Sequence, residues 1–266
     1  MDTITVRASS MPELFDCPAR WEAKYVKGLR LPRSGAAQLG TAVHAGTALY
    51  DQSALDGTGL TPDEAAGAVA DAIHKPETDV DWAGAEVSQS EAEGIAIALH
   101  KRYCAEIAPK QHYLAVEATC ERLEITDLGL ALTGTTDRVT INDDGYGIAD
   151  IKTGKTAVAA DGTVKTAGHA AQIAVYELLA GAALGCDIKA PAQIFGLQVA
   201  KTAKGQRAGV GIVHNARELL VGEDDSPGLL QIASTMLHSG TFWGNPRSAL
   251  CSPKYCPAWG QCRWRK

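Results

Sequence analysis

Residues 134–155 read Gly-Thr-Thr-Asp-Arg-Val-Thr-Ile-Asn-Asp-Asp-Gly-Tyr-Gly-Ile-Ala-Asp-Ile-Lys-Thr-Gly-Lys. No other stretch constrains the fold as much. Asn142-Asp143-Asp144-Gly145 carries turn chemistry between two Val-, Ile- and Thr-containing segments, so the stretch reads as a β-hairpin. The midpoint between Asp137 and Asp150 falls on Asp143–Asp144, which sets the two carboxylates roughly opposite each other across the ladder. Asp150 and Lys152 lie two apart and point from the same face of one strand.

Around this hairpin the hydrophobic period alternates between helix and strand. Residues 10–26 read as a helix interrupted by Pro18, and residues 38–50, 62–74 and 88–108 read as further helices. A loop is expected over 76–87. Strands follow over 113–125, 130–141 and 147–152, forming a meander. Residues 154–168 are small and polar and read as a mobile loop. A strongly helical run spans 169–184, two strands span 192–200 and 208–214, and a last helix spans 227–240. Helices flanking a mixed central sheet place the chain in the α/β (α+β) class. A single domain over 1–266 is expected, with 51–110 as a helical insertion, a helical N-terminal region and a C-terminal cysteine cluster.

The chain has 266 residues, 45% of them hydrophobic, which suffices for one full core. No apolar run approaches the roughly 18 residues of a membrane span, and residues 1–7 lack the apolar stretch of a signal peptide. A cytoplasmic protein with no membrane partner is expected. The net charge of −6 argues against coating nucleic acid by bulk charge. Any nucleic-acid path must use local cations: Lys152, Lys155 and Lys165; Lys201, Lys204 and Arg207; or Lys254, Arg263, Arg265 and Lys266. Each of these, taken singly, is an ordinary solvated charge.

Four constellations carry chemistry. Asp137, Asp150 and Lys152 bring two acids and an ammonium to one strand end, which suits a hard divalent cation and metal-assisted phosphodiester cleavage. Glu117, on the preceding strand, adds a further carboxylate. Gln172 and Tyr176 share one helical face at i, i+4 spacing. His44 lies four residues after Gly40, and neutral imidazole can ligate a metal. Cys251, Cys256 and Cys262 cluster near the C-terminus, with Cys17 far upstream. Four thiolates suit Zn²⁺ or an iron–sulfur cluster.

In this order the constellations resemble the RecB-type nucleases of the PD-(D/E)XK superfamily, in particular the iron–sulfur branch. That branch includes CRISPR-associated adaptation exonucleases and AddAB-type nuclease domains. The residues that carry the resemblance are Phe-Asp-Cys-Pro at 15–18, Gly-x-x-x-His at 40–44, Gly-x-x-Asp-Arg at 134–138, Asp-Ile-Lys-Thr-Gly at 150–154 and Gln-x-x-x-Tyr at 172–176. The resemblance implies a restriction-endonuclease-like core and an exonuclease acting on single-stranded DNA or DNA ends. It implies that His44, Asp137, Asp150 and the carbonyl of Ile151 bind Mg²⁺ or Mn²⁺. Lys152 would position the attacking water, with Gln172 and Tyr176 supporting the site. Cys17, Cys251, Cys256 and Cys262 would bind a 4Fe–4S cluster, although four residues rather than the common two separate Cys251 from Cys256. Recombination, CRISPR adaptation or phage replication partners are compatible with this reading. An inactive DNA-binding or assembly subunit and a zinc-binding structural protein stand as the alternatives.

Overall fold

In the computed structural model, whose described residues are 3–223 and 225–266, the acidic hairpin lies at the centre of a mixed sheet. Strand β1 (Ile4–Arg7) leads into two short helices, α1 (Met11–Asp16) and α2 (Pro18–Tyr25). Pro18 ends the first helix and opens the second, so the expected 10–26 helix breaks at Cys17. A two-residue strand β2 (Arg33–Ser34) precedes the long helix α3 (Gly35–Leu55), then α4 (Pro62–His74), β3 (Val80–Asp81) and α5 (Gln89–Glu106). Ser34 caps α3, and Thr61 with Glu64 and Ser88 with Glu91 form capping boxes on α4 and α5.

The meander follows as β4 (Tyr113–Ile125), β5 (Leu130–Asn142) and β6 (Gly145–Gly154). Then come α6 (Ala170–Leu184), β7 (Ala192–Gln198), β8 (Arg207–Val213) and α7 (Leu229–Ser239). The strand order is β1-β5-β6-β7-β8, with β4 paired to β5. In this sheet β1 joins β5 in parallel and β6 joins β7 in parallel, and the other pairs are antiparallel.

Two cores cover the sheet. One packs Ile173, Leu179, Val139 and Ile148 with residues of α1, α2 and α7. The other packs Leu39, Val43, Val69 and Leu99 of α3–α5 against Ile151, Phe195 and Leu197. Residue 51, the expected start of a helical insertion, lies inside α3, and α4 and α5 belong to the layer that covers this second face. The segment after β6 departs from the expected mobile loop. Val158 and Val164 are buried and pair with each other across a bridge. They rest where Gly196 and Gly209 have no side chain: a Cβ on either glycine would lie 2.9 Å from Val164. Bare backbone in two neighbouring strands makes the seat for this loop. The sequence reading left out β1 of the central sheet and the two-residue strands β2 and β3, which pair in a small second sheet; β3 lies inside the expected 76–87 loop.

Candidate active site

β5 is served by two different neighbours along one edge. Its first residues, Leu130–Thr133, pair with β1, and its last, Arg138–Asn142, pair with β6. Between them the edge is open, and Asp137 sits at that gap. The hairpin register of Arg138 with Ala149 puts Asp137 beside Asp150, as the turn arithmetic expects. Where the ladder stops, the side chain takes over: the backbone N–H of Ile151 donates to Asp137 Oδ2 at 2.8 Å. On the other edge, Glu117 falls between the pairs Val116–Arg138 and Ala118–Thr136, at φ +51°. A non-glycine residue there is strained, and its carboxylate remains half-exposed beside Asp137.

Helix α3 brings His44 to this gap. Its Nε2 lies 2.9 Å from the carbonyl of Ile151 and its Nδ1 lies 3.4 Å from Asp137 Oδ2. Both ring nitrogens face acceptors, which only the imidazolium satisfies at once. Burial works against that charge, but Asp137 outweighs it and raises the pKa of His44. For Asp137, burial is opposed by His44, Lys152 and the Ile151 N–H, which together hold the carboxyl well below its ordinary range. Asp150 goes the other way. It is 1% exposed, and burial together with the charge of Asp137 pushes its carboxyl up against the pull of Lys152.

Lys152 Nζ lies 2.5 Å from Asp150 Oδ2 and donates to Gln172 Oε1 at 3.1 Å. Gln172 Nε2 in turn donates to the Tyr176 hydroxyl at 2.9 Å. The i, i+4 pair of α6 is therefore a buried chain that holds the lysine. Asp150 Oδ2 has no directed hydrogen bond despite its burial. Among the described residues, no group of three or more His, Cys, Asp or Glu side chains stands together in a form ready to hold a metal ion. His44, Asp137, Asp150 and Lys152 are closed on one another instead.

Sequence reasoning missed a second network behind the first. Arg138, fully buried, donates through Nε to Asp51 Oδ2 at 2.6 Å and through a terminal N–H to the carbonyl of Asp137 at 2.7 Å. The hydroxyl of Tyr103 donates to the same Asp51 oxygen at 2.5 Å and meets Tyr113 at 2.8 Å. The signal was available in part: Asp51 follows His44 by seven residues, two turns along the same helix.

The four cysteines line one cavity of about 360 Å³. The chain ends meet there: Asn245 N donates to Cys17 Sγ at 3.4 Å, Ser248 Oγ donates to Asp16 at 2.6 Å, and Trp21 stacks on Phe242. Burial, with Cys17 and Cys262 nearby, raises the thiol pKa of Cys256. Several of the cations expected on a nucleic-acid path are engaged: Lys155 pairs with Glu86, Lys201 pairs with Glu91, and Arg207 donates to the carbonyl of Val158. No described helix is long and apolar enough to cross a membrane.

Compared with known proteins, residues 7–263 match the family model described as the PD-(D/E)XK nuclease superfamily. No curated protein matches the chain. The mixed sheet flanked by helices is consistent with a restriction-endonuclease-like fold.

Proposed function

The chain belongs to the PD-(D/E)XK nuclease superfamily, and from that premise we propose that it is a metal-dependent deoxyribonuclease of the RecB-like, iron–sulfur type, an exonuclease acting on single-stranded DNA or DNA ends. One observation carries the reading. Four of the five motif segments, spread from Gly40 to Tyr176, converge at the gap where β5 passes from β6 to β1, while the first, at 15–18, lies with the tail cysteines.

The donor set fits Mg²⁺ or Mn²⁺. His44, Asp137, Asp150 and the Ile151 carbonyl offer two carboxylates, a carbonyl and an imidazole, and Asp150 Oδ2 is a buried acceptor without a directed partner. Glu117 stands near enough to add a carboxylate. When bound, such an ion supplies Lewis acidity to water and to the phosphodiester. The protein's own share falls to Lys152. Its ammonium has three N–H donors: one is directed at Gln172, and the charge pairs with Asp150 Oδ2 at 2.5 Å without a directed hydrogen bond. That leaves a donor for a water or for a phosphate oxygen on which charge develops. Tyr176 and Gln172 keep that donor aimed by holding the lysine from the side of α6.

Cys17, Cys251, Cys256 and Cys262 would hold a 4Fe–4S cluster that ties the tail to α1 and α2. The support is the cavity that all four line and the Asn245 N–H directed at Cys17 Sγ. DNA is the partner, and a recombination, CRISPR or phage replication protein would recruit the enzyme to it.

The decisive experiment is digestion of end-labelled single-stranded and duplex DNA in Mg²⁺ or Mn²⁺ by anaerobically purified protein, with Asp150→Ala beside it. Cleavage by the wild type and none by a folded Asp150→Ala variant is expected. Full activity in that variant overturns the site assignment. A wild type that binds DNA without cutting it points to the assembly-subunit alternative.

A further inference from the structure

We propose that Asp51, Arg138 and Tyr103 form a positioning clamp that sets the distance between His44 and Asp137, and so tunes the affinity of the site for its divalent ion. The inference rests on the reading of His44, Asp137 and Asp150 as ligands of that ion.

The two halves of the site come from different elements. His44 rides on α3, while Asp137 and Asp150 ride on the sheet. Apolar contacts between a helix and a sheet are non-directional and permit sliding. The clamp is directional. Asp51 lies two turns beyond His44 on α3, and Arg138 is the chain neighbour of Asp137 on β5. Their contact is a 2.6 Å ion pair between groups of 2% and 0% side-chain exposure. Arg138 also donates to the carbonyl of Asp137 itself, at 2.7 Å. The line from α3 to the ligand-bearing residue therefore runs through two hydrogen bonds and one planar guanidinium, a group whose fork permits little rotation.

Tyr103 fixes the third direction. Its hydroxyl lies 2.5 Å from the same Asp51 oxygen, and α5 is thereby tied to α3. Glu117 lies 3.5 Å from Arg138 Nη1, the same nitrogen that donates to the carbonyl of Asp137, so the guanidinium also reaches the strained residue on the far edge of β5. A buried ion pair is weak evidence for stability, because desolvation offsets most of its attraction. Beside the open edge of the sheet its contribution is to geometry. Groups that orient metal ligands from behind commonly change metal affinity 10–100-fold when removed.

The test is the Mn²⁺ dissociation constant, read by electron paramagnetic resonance of free Mn²⁺ without DNA, for the wild type and two variants of the full chain. Asp51→Leu with Arg138→Met replaces both charges by apolar groups. Its dissociation constant is expected to rise about 10–100-fold, with circular dichroism unchanged. Tyr103→Phe removes one hydroxyl only and is expected to raise the constant about threefold or more. A folded double variant with wild-type Mn²⁺ affinity overturns the clamp. Should the double variant not fold, wild-type affinity in Tyr103→Phe overturns it. Wild-type protein that binds Mn²⁺ but cuts no DNA refutes the nuclease reading and leaves the clamp standing. Wild-type protein that binds no Mn²⁺ refutes the ligand assignment, and the clamp falls with it.

Discussion

Replacing Lys152 by methionine keeps the apolar stem and removes the charge, so it isolates what the ammonium does. Lys152 has two partners, Asp150 Oδ2 at 2.5 Å and Gln172 Oε1 at 3.1 Å. Loss of one charged donor at a developing oxyanion costs about 10²–10³ in rate, or about 2.7–4 kcal/mol. A stability effect competes with this. Removing one member of a buried ion pair costs about 3–5 kcal/mol when the surviving charge is trapped. Asp150 is not trapped, because burial already pushes its carboxyl up and Lys152 is the main opposing influence. Without the lysine the carboxyl takes a proton near neutral pH, which limits the destabilisation to about 1–2 kcal/mol, a fall of a few degrees in Tm. The chemical effect therefore exceeds the folding effect.

The assay is single-turnover cleavage of end-labelled DNA at saturating Mn²⁺, with Tm measured alongside. Raising the pH re-ionises Asp150, so the Mn²⁺ concentration for half-saturation of Lys152→Met should fall as pH rises. The saturated rate should stay low at every pH. A folded Lys152→Met variant that cleaves at the wild-type rate, or regains that rate at high pH, refutes the role given to the ammonium.

Further outcomes follow from other parts of the molecule. Cys256→Ala should lose iron, acid-labile sulfide and visible absorption and should melt at lower temperature, because the cluster would close a loop from Cys17 to the tail; a colourless, metal-free wild type of full stability contradicts the cluster. Gly46→Ala would place a Cβ 2.4 Å from Val69 Cγ2 and 3.0 Å from His100 Nδ1. Overpacking of about 1–3 kcal/mol then exceeds the gain in helix propensity of about 1 kcal/mol, so denaturant unfolding should show a net loss of about 1 kcal/mol; an unchanged midpoint argues against the close α3–α4 approach. Glu177 is buried, and burial, against the weaker pull of Arg217, raises its carboxyl from 4.5 to about 7. Its folded-state pKa lies above the unfolded one, so the penalty is absent below about pH 4.5, grows as pH rises and is complete above about pH 7. Glu177→Gln should therefore gain about 2–3 kcal/mol over wild type at pH 8 and nothing at pH 4, read by thermal melts across that range.

The hairpin was legible because strand chemistry is local. A two-residue alternation and an Asn-Asp-Asp-Gly turn suffice to pair Asp137 with Asp150, and the Arg138–Ala149 register agrees. Helices α3 to α7 were legible for the same reason, since period and breakers act within a few residues. Pro18 announced the break at Cys17. β1 was not legible. Four residues, Ile4–Arg7, become a strand only because β5 offers them a free edge 126 positions away, at Leu130. The loop after β6 looked mobile because its sequence is small and polar; its two valines find a seat only where glycines of β7 and β8 come together.

What the sequence alone determined is therefore the list of chemical groups and the elements that carry them: two acids and a lysine on one hairpin, a histidine on α3, a Gln–Tyr pair on α6, and thiols at both ends of the chain. What only the tertiary structure decided is the state of those groups. Charge and orientation at the site depend on burial and on partners brought from distant segments. His44 is raised and Asp137 lowered by each other across 93 residues of chain, and Arg138 finds Asp51 across 87. Such energies fall with distance in space and with dielectric, and neither quantity is written in residue order.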